Sequence, residues 1–169
     1  AFSRRMAGAV TDEQIVAANV DILFVVMGLD ADFSLRRLER YLLLSHESGA
    51  APVIVLTKMD LADDVGARIA QAVAVAGMVP VHLVNPKSGA GIQHVGAHLA
   101  PGRTGALLGS SGVGKSTIIN RLVGENVRKT REVRESDQKG RHTTSHRELV
   151  VLPKGGLIID TPGMRELQL

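Results

Sequence analysis

Residues 109–117 read Gly-Ser-Ser-Gly-Val-Gly-Lys-Ser-Thr, a complete G-x-x-x-x-G-K-[ST] string, and the T-K-M-D string expected downstream of it stands upstream, at 57–60. A loop of this kind requires one local architecture: a strand, a glycine turn, then a helix. Its glycines let backbone N–H groups wrap closely around phosphate oxygens, while the lysine adds a point charge and the serine hydroxyl suits magnesium. Gly109, Ser110, Ser111, Gly112, Val113, Gly114, Lys115, Ser116 and Thr117 are therefore candidate phosphate-binding residues. Lys115 is also expected to act in catalysis, and Ser116 to hold magnesium. The flanks agree: Ala106, Leu107 and Leu108 form an apolar run, and Ile118, Ile119, Leu122 and Val123 recur at helical spacing. A turn that merely caps a helix would need neither the strand nor the lysine.

Upstream, strands and helices alternate. Ile22 to Met27 reads as a buried strand, and Leu35, Leu38, Leu42 and Leu43 form a helical stripe behind a Ser34 cap. Val53 to Leu56 is a second strand running into T-K-M-D, with a helix from about Asp63 to Ala76. Val79 to Val84, Ile92 to Leu99 and Ala106 to Leu108 continue as strand, helix and strand. Beyond Gly124 a charge-rich stretch of some twenty residues reads as a long loop, and Leu149 to Leu152 and Leu157 to Ile159 read as strands joined by a turn at 153–156. Continuous apolar strands separated by helices predict a parallel sheet covered on both faces. Residues 1–13 read as a linker-like start to a single domain over 1–169.

A chain of 169 residues with 44% apolar content can bury a substantial core. The longest apolar run, Ile22 to Leu29, is strand-sized, so no membrane span is expected, and with zero cysteines neither a disulfide nor a thiolate metal site is possible in this sequence. The cytoplasm is the expected location and a monomer the expected state. The pI of 9.6 overstates the charge, which is only +3. More telling is the clustering of Arg128, Lys129, Arg131, Arg134, Lys139, Arg141 and Arg147, which suits either a solvated loop or a polyanion such as RNA. At 2% aromatics, such a contact would use phosphates and shape rather than base stacking.

Asp160-Thr161-Pro162-Gly163 follows the strand at 157–159, at the carboxyl edge where ligands of open α/β sheets gather. There Asp160 can hold magnesium through water and the Gly163 amide can reach a terminal phosphate. In Thr57-Lys58-Met59-Asp60, the Asp60 carboxylate can accept from both N1–H and the exocyclic amine of guanine, whereas adenine would face it with a lone pair at N1. Lys58 can lay its stem along the base, and Thr57 can tie neighbouring loops together. Many phosphate-loop hydrolases orient water with a glutamine after D-x-x-G; here Met164 stands there, so His142, in Gly140-Arg141-His142-Thr143-Thr144, is the catalytic candidate. Thr143 or Thr144 is expected to complete the magnesium shell. His94 and His98, four apart on a predicted helix, are read as a surface face, and Asp30 and Asp32 as turn and cap residues.

T-K-M-D, G-S-S-G-V-G-K-S-T, G-R-H-T-T and D-T-P-G-M-R-E-L, in that order, resemble the circularly permuted GTPase domain of the ribosome small-subunit-dependent GTPase A family, from about Gln14 to the last residue. The resemblance implies an α/β, three-layer phosphate-loop NTPase fold with a mostly parallel six-stranded sheet. The expected order across that sheet is 149–152, 157–159, 106–108, 22–27, 53–56, 79–84, with the first strand antiparallel. It implies slow hydrolysis of GTP to GDP with magnesium, stimulation by the small ribosomal subunit and its rRNA, and a role late in that subunit's maturation; it also supports a water-positioning role for His142. The family's oligonucleotide-binding and zinc domains have no counterpart in these residues, and no zinc is expected. The alternative reading is a nucleotide-gated RNA-binding module with incidental hydrolysis. One departure concerns the base loop. Where the family usually carries a Ser-Ala type loop, Asn85-Pro86-Lys87-Ser88 places a proline with no N–H, leaving the Lys87 or Ser88 amide to serve guanine O6.

Overall fold

The computed structural model describes residues 2–5, 13–17, 19–61, 63–124 and 148–160. After the hairpin strands β1 (Phe2–Arg5) and β2 (Glu13–Ala17) come β3 (Ile22–Gly28), α1 (Leu35–Ser48), β4 (Ala51–Thr57), a 3₁₀ turn at Met59–Leu61 and α2 (Val65–Ala76). The second half holds β5 (Val81–Leu83), α3 (Ile92–Gly96), β6 (Thr104–Leu108), α4 (Lys115–Val123), β7 (Glu148–Val151) and β8 (Leu157–Asp160).

β3 to β8 form one six-stranded sheet in the order β5-β4-β3-β6-β8-β7. Every pairing is parallel except that of β7 with β8. This is the order and direction expected from the sequence. All seven residues of β3 are buried, which its continuous apolar sequence requires of a strand covered on both faces. Alternate residues feed two cores. Leu23, Val25 and Met27 pack with Leu38 and Tyr41 of α1 and Ala72 of α2; Ile22, Phe24 and Val26 pack with Val95 of α3 and Ile118 and Ile119 of α4. Each fully buried side chain of this size contributes about 1.5–3 kcal/mol relative to exposure, so the central strand anchors both layers.

Local chemistry sets the helix ends. The Ser34 hydroxyl accepts from the Arg37 N–H at 3.3 Å and opens α1, and Gly49 closes it at φ 78°, a left-handed conformation suited to glycine. The helix expected from about Asp63 to Ala76 runs from Val65 to Ala76, with Asp64 at its N-cap position, after a separate 3₁₀ turn that holds Asp60. The predicted helix over 92–99 ends at Gly96 as α-helix; beyond it His98 and Leu99 donate to Val95 and Gly96, three residues back, which tightens the last turn.

The linker-like start expected over 1–13 is corrected in part: β1 and β2 pair antiparallel as a separate two-stranded sheet. The strands are only four and five residues long, and β1 is mostly polar (FSRR) while the apolar part of β2 is the three-residue run Ile15-Val16-Ala17, too short for periodicity to mark a strand.

Candidate nucleotide site

β6 delivers the chain to the phosphate loop in the middle of the sheet, and α4 leaves it. A Cβ at Gly109 would stand 2.3 Å from the Val26 carbonyl oxygen, so only glycine lets the loop start flat against β3. Gly112 at φ 76° and Gly114 at φ 109° then turn the backbone through left-handed conformations. Lys115 folds back under the loop and donates from Nζ to the Gly109 carbonyl and, at 3.3 Å, to that of Ser110. The result is a cavity of about 190 Å³ lined by Ser111, Gly112, Gly114, Lys115, Ser116 and Thr117. A larger, mostly apolar depression of about 410 Å³ among Ile92, Leu99, Leu122 and Leu152 holds none of the sequence-predicted site residues.

T-K-M-D stands beside this loop although 56 positions separate the contacting residues. Thr57, at the end of β4 and 0% exposed, donates its hydroxyl to the Val113 carbonyl at 2.9 Å. The tie between loops anticipated for Thr57 is therefore present, and its partner is the phosphate loop itself. Lys58 adopts φ 58°, uncommon for a residue with a side chain, and its ammonium lies 3.3 Å from Asp30 Oδ2. Met59 packs on the core while Asp60 lies in the 3₁₀ turn that follows β4.

Asp30 and Asp32 do more than cap a turn. Asp32 Oδ2 accepts from the Gly28 N–H at 3.0 Å, and its Oδ1 pairs with Arg37 at 2.7 Å. Asp30 Oδ1 accepts from the Asp32 N–H at 3.2 Å, leaving Oδ2 for Lys58. Desolvation, the largest single influence on the Asp30 carboxyl, pushes its pKa up; the Asp32 N–H and the Lys58 ammonium outweigh it and hold the group below its ordinary value. From α2, Arg68 donates to the Leu29 carbonyl and, at 2.6 Å, to that of Asp30. Asp30 thus orients Lys58, a role with no sequence signal, because 28 positions separate the two.

The loop after β5 closes on itself: Asn85 N–H donates to Ala90 O at 2.9 Å and Gly89 N–H to Asn85 O at 2.8 Å. Pro86 lies against Gly114, where a Cβ would come within 2.9 Å of its Cγ. The two amides that the sequence offered in place of the missing proline N–H both point at one oxygen, Asn85 Oδ1, at 3.1 Å from Lys87 and 3.3 Å from Ser88.

Asp160 ends β8, directly after Ile159, which pairs with Ala106 of β6. Its backbone therefore lies beside the strand that feeds the phosphate loop, at the carboxyl edge. His142, Thr143, Thr144 and Gly163, together with the basic cluster at 128–147, lie outside the described residues. The Ser116 hydroxyl and the Asp160 carboxylate are hard oxygen donors of the type magnesium prefers, so these residue types fit that ion. Among the described residues no group of three or more histidine, aspartate or glutamate side chains converges as a metal cage, and no helix is long and apolar enough to cross a membrane.

His94 and His98 are joined by His82 of β5. His82 Nε2 meets His98 Nε2 at 2.8 Å, and the His82 and His94 rings stack with centroids 5.7 Å apart. Burial, then the neighbouring charges, hold the pKa of His82 and His98 below the ordinary imidazole value. His94 is exposed and His98 half-buried, in keeping with a surface face, and His82 joins them there in a three-ring cluster between the edge strand and the end of α3.

The sequence matches the model of the RsgA GTPase family over residues 1–169. It is 50% identical over 168 residues to the small ribosomal subunit biogenesis GTPase RsgA of Methanosarcina acetivorans, covering 99% of this chain and 46% of that protein. It is 51% identical over 169 residues to the protein of the same name from Opitutus terrae, covering 100% and 46%. The chain thus spans under half the length of these relatives. Among solved structures, YjeQ from Thermotoga maritima aligns with a TM-score of 0.68 at 27% identity, over 89% of this chain and 50% of that one. YloQ, described as a circularly permuted GTPase, aligns at 0.63 and 27%, over 89% and 47%. With the permuted motif order, the sheet order and these matches in agreement, the chain belongs to the RsgA GTPase family.

Proposed function

We propose that this chain is the GTP-hydrolysing domain of a switch that acts in late maturation of the small ribosomal subunit. The observation that carries the reading is the hydrogen bond from Thr57 to Val113, which joins the base-selecting motif to the phosphate loop. In this reading the loop amides and Lys115 hold the phosphates, Asp60 selects guanine over adenine, and Lys58, oriented by Asp30, flanks the base. Ser116, Asp160 and Thr143 or Thr144 would hold magnesium, which when bound neutralises phosphate charge. His142 orients the attacking water in place of the glutamine that Met164 replaces. Loss of the terminal phosphate would release the Gly163 amide and the segment behind it. The basic stretch at 128–147 supplies phosphate contacts to rRNA, and the domain works in the cytoplasm as a monomer.

Titration with labelled GTP and ATP analogues, followed by turnover with and without small subunits, tests the reading. It expects a strong preference for GTP and faster turnover on subunits; equal binding of ATP overturns it. The same Met164 and basic stretch favour the second reading, an RNA-binding module gated by nucleotide, and an unaltered rate on subunits with intact binding would select that one.

A further inference from the structure

Pro86 removes the amide that would be expected to meet the 6-oxygen of the purine, and the structure contains a substitute built by a residue from elsewhere. Arg121, on the exposed side of α4 and six positions beyond Lys115, donates from Nε to the Pro86 carbonyl at 3.1 Å and from Nη2 to the Lys87 carbonyl. Those two carbonyls belong to the same peptide units as the Lys87 and Ser88 N–H groups. The described peptides are all trans, so each unit points its C=O and its N–H in opposite directions. With both carbonyls drawn to one guanidinium, both N–H groups face the other way, and they converge on a single oxygen, Asn85 Oδ1. Successive amides aimed at one point form a concavity for an electron-rich oxygen.

We infer that Arg121 is a positioning residue for guanine: it holds the 86–88 peptides so that the Lys87 and Ser88 amides present a paired donor to the purine 6-oxygen, a place now filled by the Asn85 side-chain oxygen. This rests on the guanine-nucleotide reading above and explains how the loop keeps its selectivity despite Pro86. A 6-oxo group accepts from the pair, whereas the 6-amino group of adenine would set donor against donor. The geometry also makes base reading and phosphate binding one unit. Arg121 rides on the helix that Lys115 begins, Pro86 rests on Gly114, and Gly89, at φ 82°, packs its backbone near the guanidinium, where a Cβ would lie 3.4 Å from Nη1. The planar fork fits two adjacent carbonyls in a way a lysine cannot.

The test compares GDP with 2-aminopurine riboside diphosphate, which keeps the 2-amino group but lacks both the 6-oxygen and the N1 proton offered to Asp60. The change that Arg121→Ala makes with each nucleotide, rather than the wild-type ratio, therefore reads the 6-oxygen. Binding is measured on the full chain by calorimetry, with ADP as reference and melting curves to check folding. Wild type should bind GDP about tenfold or more tighter than the 2-aminopurine nucleotide. Arg121→Ala should weaken GDP about tenfold while changing the 2-aminopurine nucleotide less than twofold, and Arg121→Lys should restore only part of the loss. Equal weakening of both nucleotides, no weakening of either, or equal wild-type affinity for GDP and the 2-aminopurine nucleotide overturns the inference. Wild type that binds ADP as well as GDP would instead sink the guanine reading on which it rests.

Discussion

Thr57→Val removes one hydrogen-bond donor from the junction on which the site depends while keeping side-chain volume. In the folded protein Thr57 is 0% exposed, Val113 is 2% exposed, and the hydroxyl–carbonyl distance is 2.9 Å. Valine therefore leaves the Val113 carbonyl without this partner in a place water cannot easily reach. A buried polar group so stranded costs about 1–3 kcal/mol. Taking about 2 kcal/mol, the melting midpoint of a chain of this size should fall by about 4–8 °C. Because the lost tie joins the base motif to the phosphate loop, bound GDP should also leave faster. Thr57→Ser is the matching control: it keeps the donor and gives up one methyl, about 0.8 kcal/mol. Thermal melts and stopped-flow release of a fluorescent GDP analogue read both effects. If Thr57→Val melts with wild type and releases nucleotide at the wild-type rate, the hydrogen bond does not hold the two loops together, and the argument for a joint site fails.

Lys115→Ala should lower guanine-nucleotide affinity by more than about 100-fold, measured by equilibrium titration, because the phosphates lose their point charge. His142→Ala should leave affinity within about twofold and slow single-turnover hydrolysis by about 100-fold, the scale of a lost proton-handling or water-orienting group; hydrolysis at the wild-type rate would remove His142 from the mechanism. Stability should depend on pH through His82 and His98. Their folded pKa values lie below the ordinary 6.5, so the unfolded chain binds more protons; the stabilisation is complete above about 6.5 and is lost as pH falls from there through the lower folded values. Urea midpoints at pH 7.5 and 5.5 should show that decline, and His82→Gln with His98→Gln should flatten it.

What the sequence made legible follows from where periodicity and glycine chemistry dominate. β3 is apolar at every position because both its faces are covered, and the loop at 109–114 needs glycines because Val26 and Pro86 leave no room for side chains, so strand order and loop could be anticipated together. Side-chain ties across distant segments were not legible. Nothing in the string pairs Asp30 with Lys58 or Arg121 with Pro86, since each is a common surface residue whose partner is brought near only by the completed sheet. The His82 contact is hidden for the same reason: the i, i+4 spacing of His94 and His98 is visible in the string, and the third ring comes from the edge strand. The antiparallel pairing of β1 with β2 joins two segments too short for hydropathy periodicity to register.

The middle position of β3 has a bearing on synthesis. Its partner on one side, β4, follows within the next thirty or so residues, and β5 adds soon after, so the half of the domain that carries the residues proposed to read the purine is complete in covalent terms by Ser88. Its other flank takes β6, whose first residue is Thr104. A nascent chain leaving the tunnel amino end first therefore carries β3 with one hydrogen-bonding border still awaiting β6, its native partner there, and β6 is the strand that runs directly into the glycine loop at 109–114.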